Sequence, residues 1–135
     1  MLKHPTLEKL YQLRLHGMAK AFREQMEQPE ADGLPFTDRL ALLVDRETTE
    51  RESRHLKIRL RHARLQMNAC VEDIDYRSPR GLDKALMMRL AGCDWIRHHD
   101  NVLLVGPTGT GKTYLACALG QKACREGFNV VYRRA

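Results

Sequence analysis

The eight residues from Gly106 to Thr113, GPTGTGKT, constrain this chain more than any other feature of its sequence. They match the pattern G-x-x-x-x-G-K-[ST] in full, and glycines in this pattern let the backbone wrap closely around phosphate oxygens. In such a loop, backbone N–H groups and the positive end of the following helix point toward the phosphates. The segment therefore predicts a loop that binds a nucleoside triphosphate, the alternative being a Gly-rich turn without a ligand.

Each residue type in this loop has a chemical role. Lys112 is expected to reach the β- and γ-phosphates, and the Thr113 hydroxyl is expected to coordinate Mg²⁺. The predicted cofactors are ATP and Mg²⁺. The predicted ATP-binding residues are Gly106, Pro107, Thr108, Gly109, Thr110, Gly111, Lys112 and Thr113.

The residues around the loop predict the fold class. Asn101 to Val105 is a short apolar run typical of a strand buried on both faces of a parallel sheet. A helical pattern follows the loop as far as Gly127, and Phe128 to Tyr132 then predicts a second strand. The expected class is α/β, in which a helical N-terminal domain precedes the start of a P-loop parallel-sheet core that stops after its second strand.

The first half of the chain has a helical pattern. Apolar residues at steps of three and four predict a helix over residues 6–28, with Thr6 as its cap, and a loop over 29–35. Residues 37–68 contain neither Gly nor Pro and predict one long helix or two joined end to end. We expect three regions: a helical domain over 1–70, a linker with a short helix over 71–100, and the partial core over 101–135.

The chain is basic, with 23 Lys and Arg against 17 Asp and Glu. Four bases near the end of the long helical pattern fall within one arc of a helical wheel, namely Arg54, Lys57, Arg61 and Arg64. Such an arc favours contact with the phosphates of a polyanionic partner such as DNA, because neutralising them releases condensed counterions. A solvated helix face is the alternative.

Other features exclude several classes of protein. No apolar run is long enough to span a bilayer and no signal sequence opens the chain, so a cytoplasmic location is expected. The four cysteines form no CxxC pair and are expected to be reduced and buried.

His98, His99 and Asp100 are interpreted as a turn in preference to a metal site. Trp95 and Tyr76 could approach an adenine, although core packing is favoured.

Two segments resemble a known family. Residues Asp73 to Ala135, which include CDWI and GPTGTGKT, resemble the N-terminal part of the ATPase core of IstB-like transposition helper proteins. These proteins are relatives of the DnaC helicase loader within the AAA+ group. The opening HPTLEKLYQLRLHGMAKAF, His4 to Phe22, is similar to the helical N-terminal domain of that family.

The resemblance implies an ATP-binding helper protein of an insertion element, which binds DNA, forms a homo-oligomer when full length and assists a transposase. Carried over residue by residue, Gly106, Gly109, Gly111, Lys112 and Thr113 match the family's phosphate loop. Two alternatives remain open: a helicase loader like DnaC, and a DNA-binding fragment whose ATP site is vestigial. A small-molecule kinase is disfavoured, because a long basic helical region precedes the loop.

The sequence departs from the family in one respect. An AAA+ ATPase needs an acidic Walker B strand, a polar sensor and an arginine finger, and none of these is recognised before Ala135. We therefore expect this chain to be the N-terminal part of a longer protein, and we expect no hydrolysis by this part alone.

Overall fold

A computed structural model describes residues 4–135, so the first three residues of the predicted 1–70 domain lie outside the described part. The described residues separate into two compact units, and the division falls between His55 and Leu56. Two short 3₁₀ helices, Pro29–Gly33 and Val71–Asp73, lie between longer elements. The α-helices of residues 4–135 are α1 (Pro5–Gln12), α2 (His16–Glu27), α3 (Phe36–Ala63), α4 (Lys84–Ala91), α5 (Asp94–Arg97) and α6 (Lys112–Arg125).

The predicted helix over residues 6–28 is divided into α1 and α2. The interruption lies at Arg14, whose φ of 61° is left-handed and incompatible with a continuous helix. His4 caps α1 in place of Thr6, because its Nδ1 accepts a hydrogen bond from the Thr6 backbone N–H at 3.2 Å. Pro5 then occupies the first helical position, where its missing N–H and fixed φ are tolerated.

The first unit depends on a close approach between α2 and α3 at Gly17. A Cβ atom at Gly17 would lie 2.8 Å from the Arg46 carbonyl oxygen and 2.8 Å from the Glu47 Cα, so only glycine fits there. The Glu47 carboxylate accepts hydrogen bonds from the backbone N–H groups of Gly17 at 3.0 Å and Met18 at 3.2 Å. One buried carboxylate therefore satisfies two free donors at the start of α2.

The charge of Glu47 is stabilised by its surroundings. Burial raises the pKa of Glu47, but hydrogen bonds from Arg51 and from the Met18 and Gly17 N–H groups lower it by more. The Arg51 Nε lies 2.7 Å from Glu47 Oε2. The net result is a Glu47 pKa below its ordinary value of 4.5, so the carboxylate stays ionised in the folded first unit at neutral pH.

The second unit is built around α6. This helix buries a face of mostly small residues, which consists of Leu115, Cys117, Ala118, Leu119, Ala123 and Cys124. Ala69, Ile74 and Met87 pack against that face from the linker and α4, and Leu65, Leu104 and Tyr132 cover its edges. The side chains of Cys117 and Ala118 are fully buried, so α6 has little freedom to move within the second unit.

The predicted parallel sheet is wrong: within residues 4–135 the structure contains no strand, and its regular elements are all helical. Residues 101–105 and 128–132 alternate between half-buried and exposed positions and form no ladder with each other. Leu103 and Val105 are 86% and 90% exposed, where a strand of a covered sheet would bury them. The apolar, β-branched composition suits a strand, but a strand also needs a neighbouring extended segment with which to form a ladder, and neither segment has one within residues 4–135.

Two expectations from composition concern cysteines and membranes. All four cysteines are free; Cys93, Cys117 and Cys124 are buried, and Cys70 is half-buried. None of the helices within residues 4–135 combines the length and the apolar character that crossing a bilayer requires.

The Gly17 contact gives a test of the first unit. Gly17→Ala should destabilise it by about 1–3 kcal/mol, because the new methyl group must push the α3 backbone away. Urea unfolding followed through the amide signals of α2 measures this loss. Gly33→Ala is the matched control: no atom lies within 4 Å of its added Cβ, so a change of no more than about 0.5 kcal/mol is expected. Equal effects of the two substitutions would contradict the close approach.

The ionised Glu47 gives a test by pH. Because the folded-state pKa lies below the ordinary value, its stabilising contribution is complete above about pH 4.5 and is lost as the pH falls through the folded-state pKa. Glu47→Gln should therefore be less stable than the wild type at neutral pH, and this difference should shrink in acid. The free energy of unfolding of the first unit, measured between pH 7 and pH 3, checks the trend. A difference that stays constant across this range would contradict it.

Candidate nucleotide site and basic face

The predicted phosphate loop lies directly before α6 and presents its glycines at the start of that helix. Gly109 and Gly111 have φ values of 86° and 90°, a left-handed conformation that residues with a Cβ rarely adopt. Gly111 is the N-cap residue of α6, and Lys112 is its first helical residue. The free N–H groups of the first turn of α6 therefore belong to the same segment as the loop.

Hydrogen bonds within the loop hold it in a compact turn. The Thr110 hydroxyl donates to the Pro107 carbonyl oxygen at 2.8 Å, and the Lys112 ammonium donates to the Gly106 carbonyl oxygen. Lys112 thus folds back over the loop and lies half-buried, and the Thr113 side chain is exposed. A cation and a hydroxyl consequently occupy neighbouring positions at the start of α6.

The donor set of the loop suits a triphosphate with Mg²⁺. The loop offers backbone N–H groups and one ammonium, which can donate hydrogen bonds to phosphate oxygens. It also offers one exposed hydroxyl, whose oxygen can coordinate a partly hydrated Mg²⁺. Within residues 4–135, no group of three or more His, Cys, Asp and Glu residues could hold a metal ion by itself.

A second cation, Arg80, contacts the loop from the linker before α4. Its guanidinium Nη1 donates to the Thr110 carbonyl oxygen at 2.9 Å, and Nη2 donates to the Asp75 carbonyl oxygen at 2.8 Å. A Cβ on Gly111 would lie only 2.6 Å from Arg80 Nη1, so the guanidinium packs directly on this glycine. Sequence reasoning missed Arg80, because nothing in the local pattern RSPRG distinguishes it from Arg77; only the fold brings it to the loop.

The linker is also tied to the other end of α6. Arg125 Nη2 lies 2.9 Å from both carboxylate oxygens of Glu72. Hydrogen bonds from the Cys70 thiol, the backbone N–H of Glu72 and Arg125 lower the pKa of Glu72 to about 2. Glu72 is therefore ionised at neutral pH, and its ion pair with Arg125 joins the start of the linker to the end of α6.

The four predicted DNA-binding residues lie along the end of α3. The side chains of Arg54, Lys57, Arg61 and Arg64 are all exposed, and none makes an ion pair within the part of the chain that the structure describes. The helix ends at Ala63, so Arg64, with a φ of 53°, lies one residue beyond it. The neighbouring bases Arg51 and Arg59 are engaged, since Arg51 pairs with Glu47 and Arg59 donates to the Cys124 carbonyl oxygen at 2.8 Å.

Arg61 and Arg64 share a cavity with a base from the end of the chain. The cavity has a volume of about 600 Å³ and is lined by Arg61, His62, Arg64, Val131, Tyr132 and Arg133. The Tyr132 N–H donates to the Ala63 carbonyl oxygen at 2.8 Å, which brings Arg133 to the end of α3. Arg133 was not among the predicted residues, because its sequence separation from Arg64 hides their proximity. Among the residues that the structure describes, no acidic side chain lines this cavity.

The aromatic and histidine residues that the sequence offered as weaker candidates take part in contacts of the fold. Trp95 donates its indole N–H to the Leu90 carbonyl oxygen at 2.8 Å and lines an apolar cavity of about 380 Å³, which no residue of the phosphate loop lines. Tyr76 packs against the core around α6. His98 and His99 form the turn that ends α5, and His99 has a φ of 61°.

Comparison with known proteins assigns the sequence of this chain to a family. A profile of the IstB-like ATP binding protein family matches residues 8–135, nearly the whole chain. The chain belongs to this family. The resemblance seen in the two sequence segments is therefore confirmed, and the Gly-rich loop of the IstB-like chain lies within the matched region.

Curated relatives of this IstB-like chain carry consistent names. A protein of Sinorhizobium fredii, named as an insertion-sequence ATP-binding protein, is 53% identical over 99% of this chain and 55% of its own length. A protein of the insertion sequence IS1162 from Pseudomonas fluorescens is 48% identical over 99% of this chain and 58% of its own length. One from IS21 of Pseudomonas aeruginosa is 32% identical over 91% and 46%. The chain spans about half the length of the curated relatives it matches.

Proposed function

We propose that this IstB-like chain binds ATP with Mg²⁺ at the loop from Gly106 to Thr113 and binds DNA through the basic end of α3. In this proposal it takes part in transposition as the ATP-binding helper of a transposase. The observation that carries the nucleotide half is the position of the loop: it precedes α6 directly, with Gly109 and Gly111 in left-handed conformations and Lys112 beside it.

The residues of the loop have separable tasks in nucleotide binding. The N–H groups at the start of α6 donate to phosphate oxygens, and the helix dipole adds to their attraction for negative charge. Lys112 exchanges its bond with the Gly106 carbonyl for one with a phosphate oxygen, which is a stronger, charge-assisted bond. The exposed Thr113 hydroxyl is the protein ligand for Mg²⁺, which neutralises part of the phosphate charge when bound.

The DNA half of the proposal is supported by charge and exposure. Arg54, Lys57, Arg61 and Arg64 extend free cationic groups over the end of α3 and the residue after it, and Arg133 adds a fifth base at the same cavity as Arg61. Contacts of this kind bind backbone phosphates without reading the base sequence. We therefore propose binding that tolerates any DNA sequence and weakens as salt increases.

The place in transposition rests on the relatives. Their names assign them to insertion sequences, which favours a transposase as the partner over the replicative helicase that a helicase loader would serve. A transposase partner is therefore proposed for the whole protein, and a homo-oligomer on DNA is proposed from the family resemblance alone. Purifying the protein from cells that contain both a transposase and a replicative helicase, and identifying which of the two co-purifies, separates a transposition helper from a helicase loader.

Removal of the Lys112 charge tests the nucleotide site. Lys112→Ala should weaken binding of a fluorescent ATP analogue with Mg²⁺ by about 10- to 100-fold, because it removes charge-assisted bonds to the phosphates. The measurement is a fluorescence titration of the purified chain. Lys84→Ala is the matched control: it removes an exposed lysine of the same unit, which lies over the Tyr76 ring and lines a cavity that contains no residue of the phosphate loop. Equal binding by the wild type and Lys112→Ala would contradict the site.

Neutralisation of the basic face tests DNA binding. Changing Arg54, Lys57, Arg61 and Arg64 together to Gln should weaken DNA binding for every sequence and flatten its dependence on salt. The slope of log K against log salt should lose about 0.9 for each phosphate contact removed. Fluorescence anisotropy with two unrelated duplexes, measured over a range of salt concentrations, gives both quantities.

The control for this experiment removes the same charge elsewhere. Lys9, Arg14, Arg77 and Arg89 are exposed bases outside the proposed face, and their joint change to Gln alters the net charge equally. If the two quadruple variants lose affinity and salt slope to the same extent, the effect belongs to net charge, and the proposed face is wrong.

A further inference from the structure

We propose that Arg80 is a positioning residue of the nucleotide site, which fixes the Thr110–Gly111 peptide and joins the linker to the phosphate loop. This inference rests on the proposed nucleotide function and names a residue that the loop motif does not contain. Arg80 acts on the loop backbone rather than on the phosphates. Its guanidinium bridges two carbonyl oxygens, Thr110 O at 2.9 Å and Asp75 O at 2.8 Å.

The geometry of a trans peptide carries the effect to the phosphate side. In a planar trans peptide, the carbonyl oxygen of one residue and the N–H of the next point in opposite directions. The described residues contain no cis peptide, so a guanidinium that holds the Thr110 oxygen directs the Gly111 N–H away from Arg80. Gly111 is the N-cap of α6, and the loop motif requires this N–H to face the phosphates.

The charge of Arg80 adds to this effect. A hydrogen bond from a guanidinium to a peptide oxygen polarises the amide and makes its N–H a better donor. Arg80 Nη1 also packs closely on Gly111, so a Cβ there, 2.6 Å from it, would displace the guanidinium. Arg80 and Gly111 therefore depend on each other in this arrangement.

The bridge also couples the linker to the loop. Asp75 begins a turn in which its own carboxylate accepts from the Arg77 N–H at 2.9 Å, so the carbonyl that binds Arg80 belongs to an ordered segment. Glu72 and Ile74, just before this turn, are held by Arg125 and by the core around α6. Arg80 thus connects a segment fixed at the far end of α6 to the loop at its near end.

Three substitutions separate positioning from charge and from general stability. Arg80→Ala removes both hydrogen bonds, and Arg80→Lys keeps the charge but cannot bridge two carbonyl oxygens with a planar fork. Arg77→Ala is the matched control, because Arg77 lies in the same linker, its side chain is 94% exposed, and its guanidinium pairs with the Asp75 carboxylate at 3.3 Å and not with a carbonyl oxygen of the loop. Amide signals within α6 report whether each variant keeps its fold.

The first measurement needs no nucleotide: the NMR signal and hydrogen exchange of the Gly111 amide, together with exchange across residues 74–81 and 106–112. Both Arg80 variants should shift the Gly111 amide signal and exchange faster in both segments, whereas Arg77→Ala should leave the loop as in the wild type. Unchanged loop exchange and an unchanged Gly111 signal in Arg80→Ala would overturn the proposal, whether or not the chain binds ATP.

The second measurement is the affinity for a fluorescent ATP analogue with Mg²⁺. Arg80→Ala and Arg80→Lys should both bind about tenfold more weakly than the wild type, and Arg77→Ala should bind equally well. Full affinity in Arg80→Lys would show an effect of charge alone and overturn positioning. A wild type that binds no nucleotide would instead refute the proposed function, while the Gly111 measurement would still decide whether Arg80 holds the loop.

Discussion

Burial of the small-residue face of α6 is the constraint on which the second unit depends. Fully buried Cys117 and Ala118 allow the linker and the segment before the loop to pack closely on this helix, so its axis and its first turn are fixed. The Gly-rich loop is continuous with that first turn. The helix that carries the loop is therefore anchored along its length, whereas the conformation of the loop itself can still vary.

Two cations of different kinds donate hydrogen bonds to carbonyl oxygens of the loop. Lys112 is a flexible point charge that folds over the loop to reach the Gly106 carbonyl, and in the proposed site it exchanges this partner for a phosphate. Arg80 is a planar fork that occupies two carbonyl oxygens from outside the loop. The motif specifies the first and is silent about the second. In this account, one cation binds the phosphates and the other keeps the loop in the shape that receives them.

The sequence predicted the family and the place of the loop, because the information for both lies in consecutive residues. The family is confirmed, while the nucleotide and DNA contacts of the predicted residues stay predictions. The sheet was wrong because composition records how well Leu103 and Val105 suit a strand, not whether a neighbouring backbone is there to pair with them. Arg80 and Arg133 were missed for a related reason: the fold brings each close to residues that are distant in sequence. Arg80 donates to the Thr110 carbonyl oxygen, and Arg133 lines the same cavity as Arg64.

The central claim is that α6 presents the loop as the nucleotide site and that the linker shares in it. A ¹H–¹⁵N NMR titration of the chain with ATP and Mg²⁺ tests it most directly, because every backbone amide reports separately. The account predicts that the largest shifts fall on residues 106–113, with smaller shifts over residues 75–80. Shifts confined to the apolar cavity around Trp95, or no shift in the loop at saturating nucleotide, would contradict it.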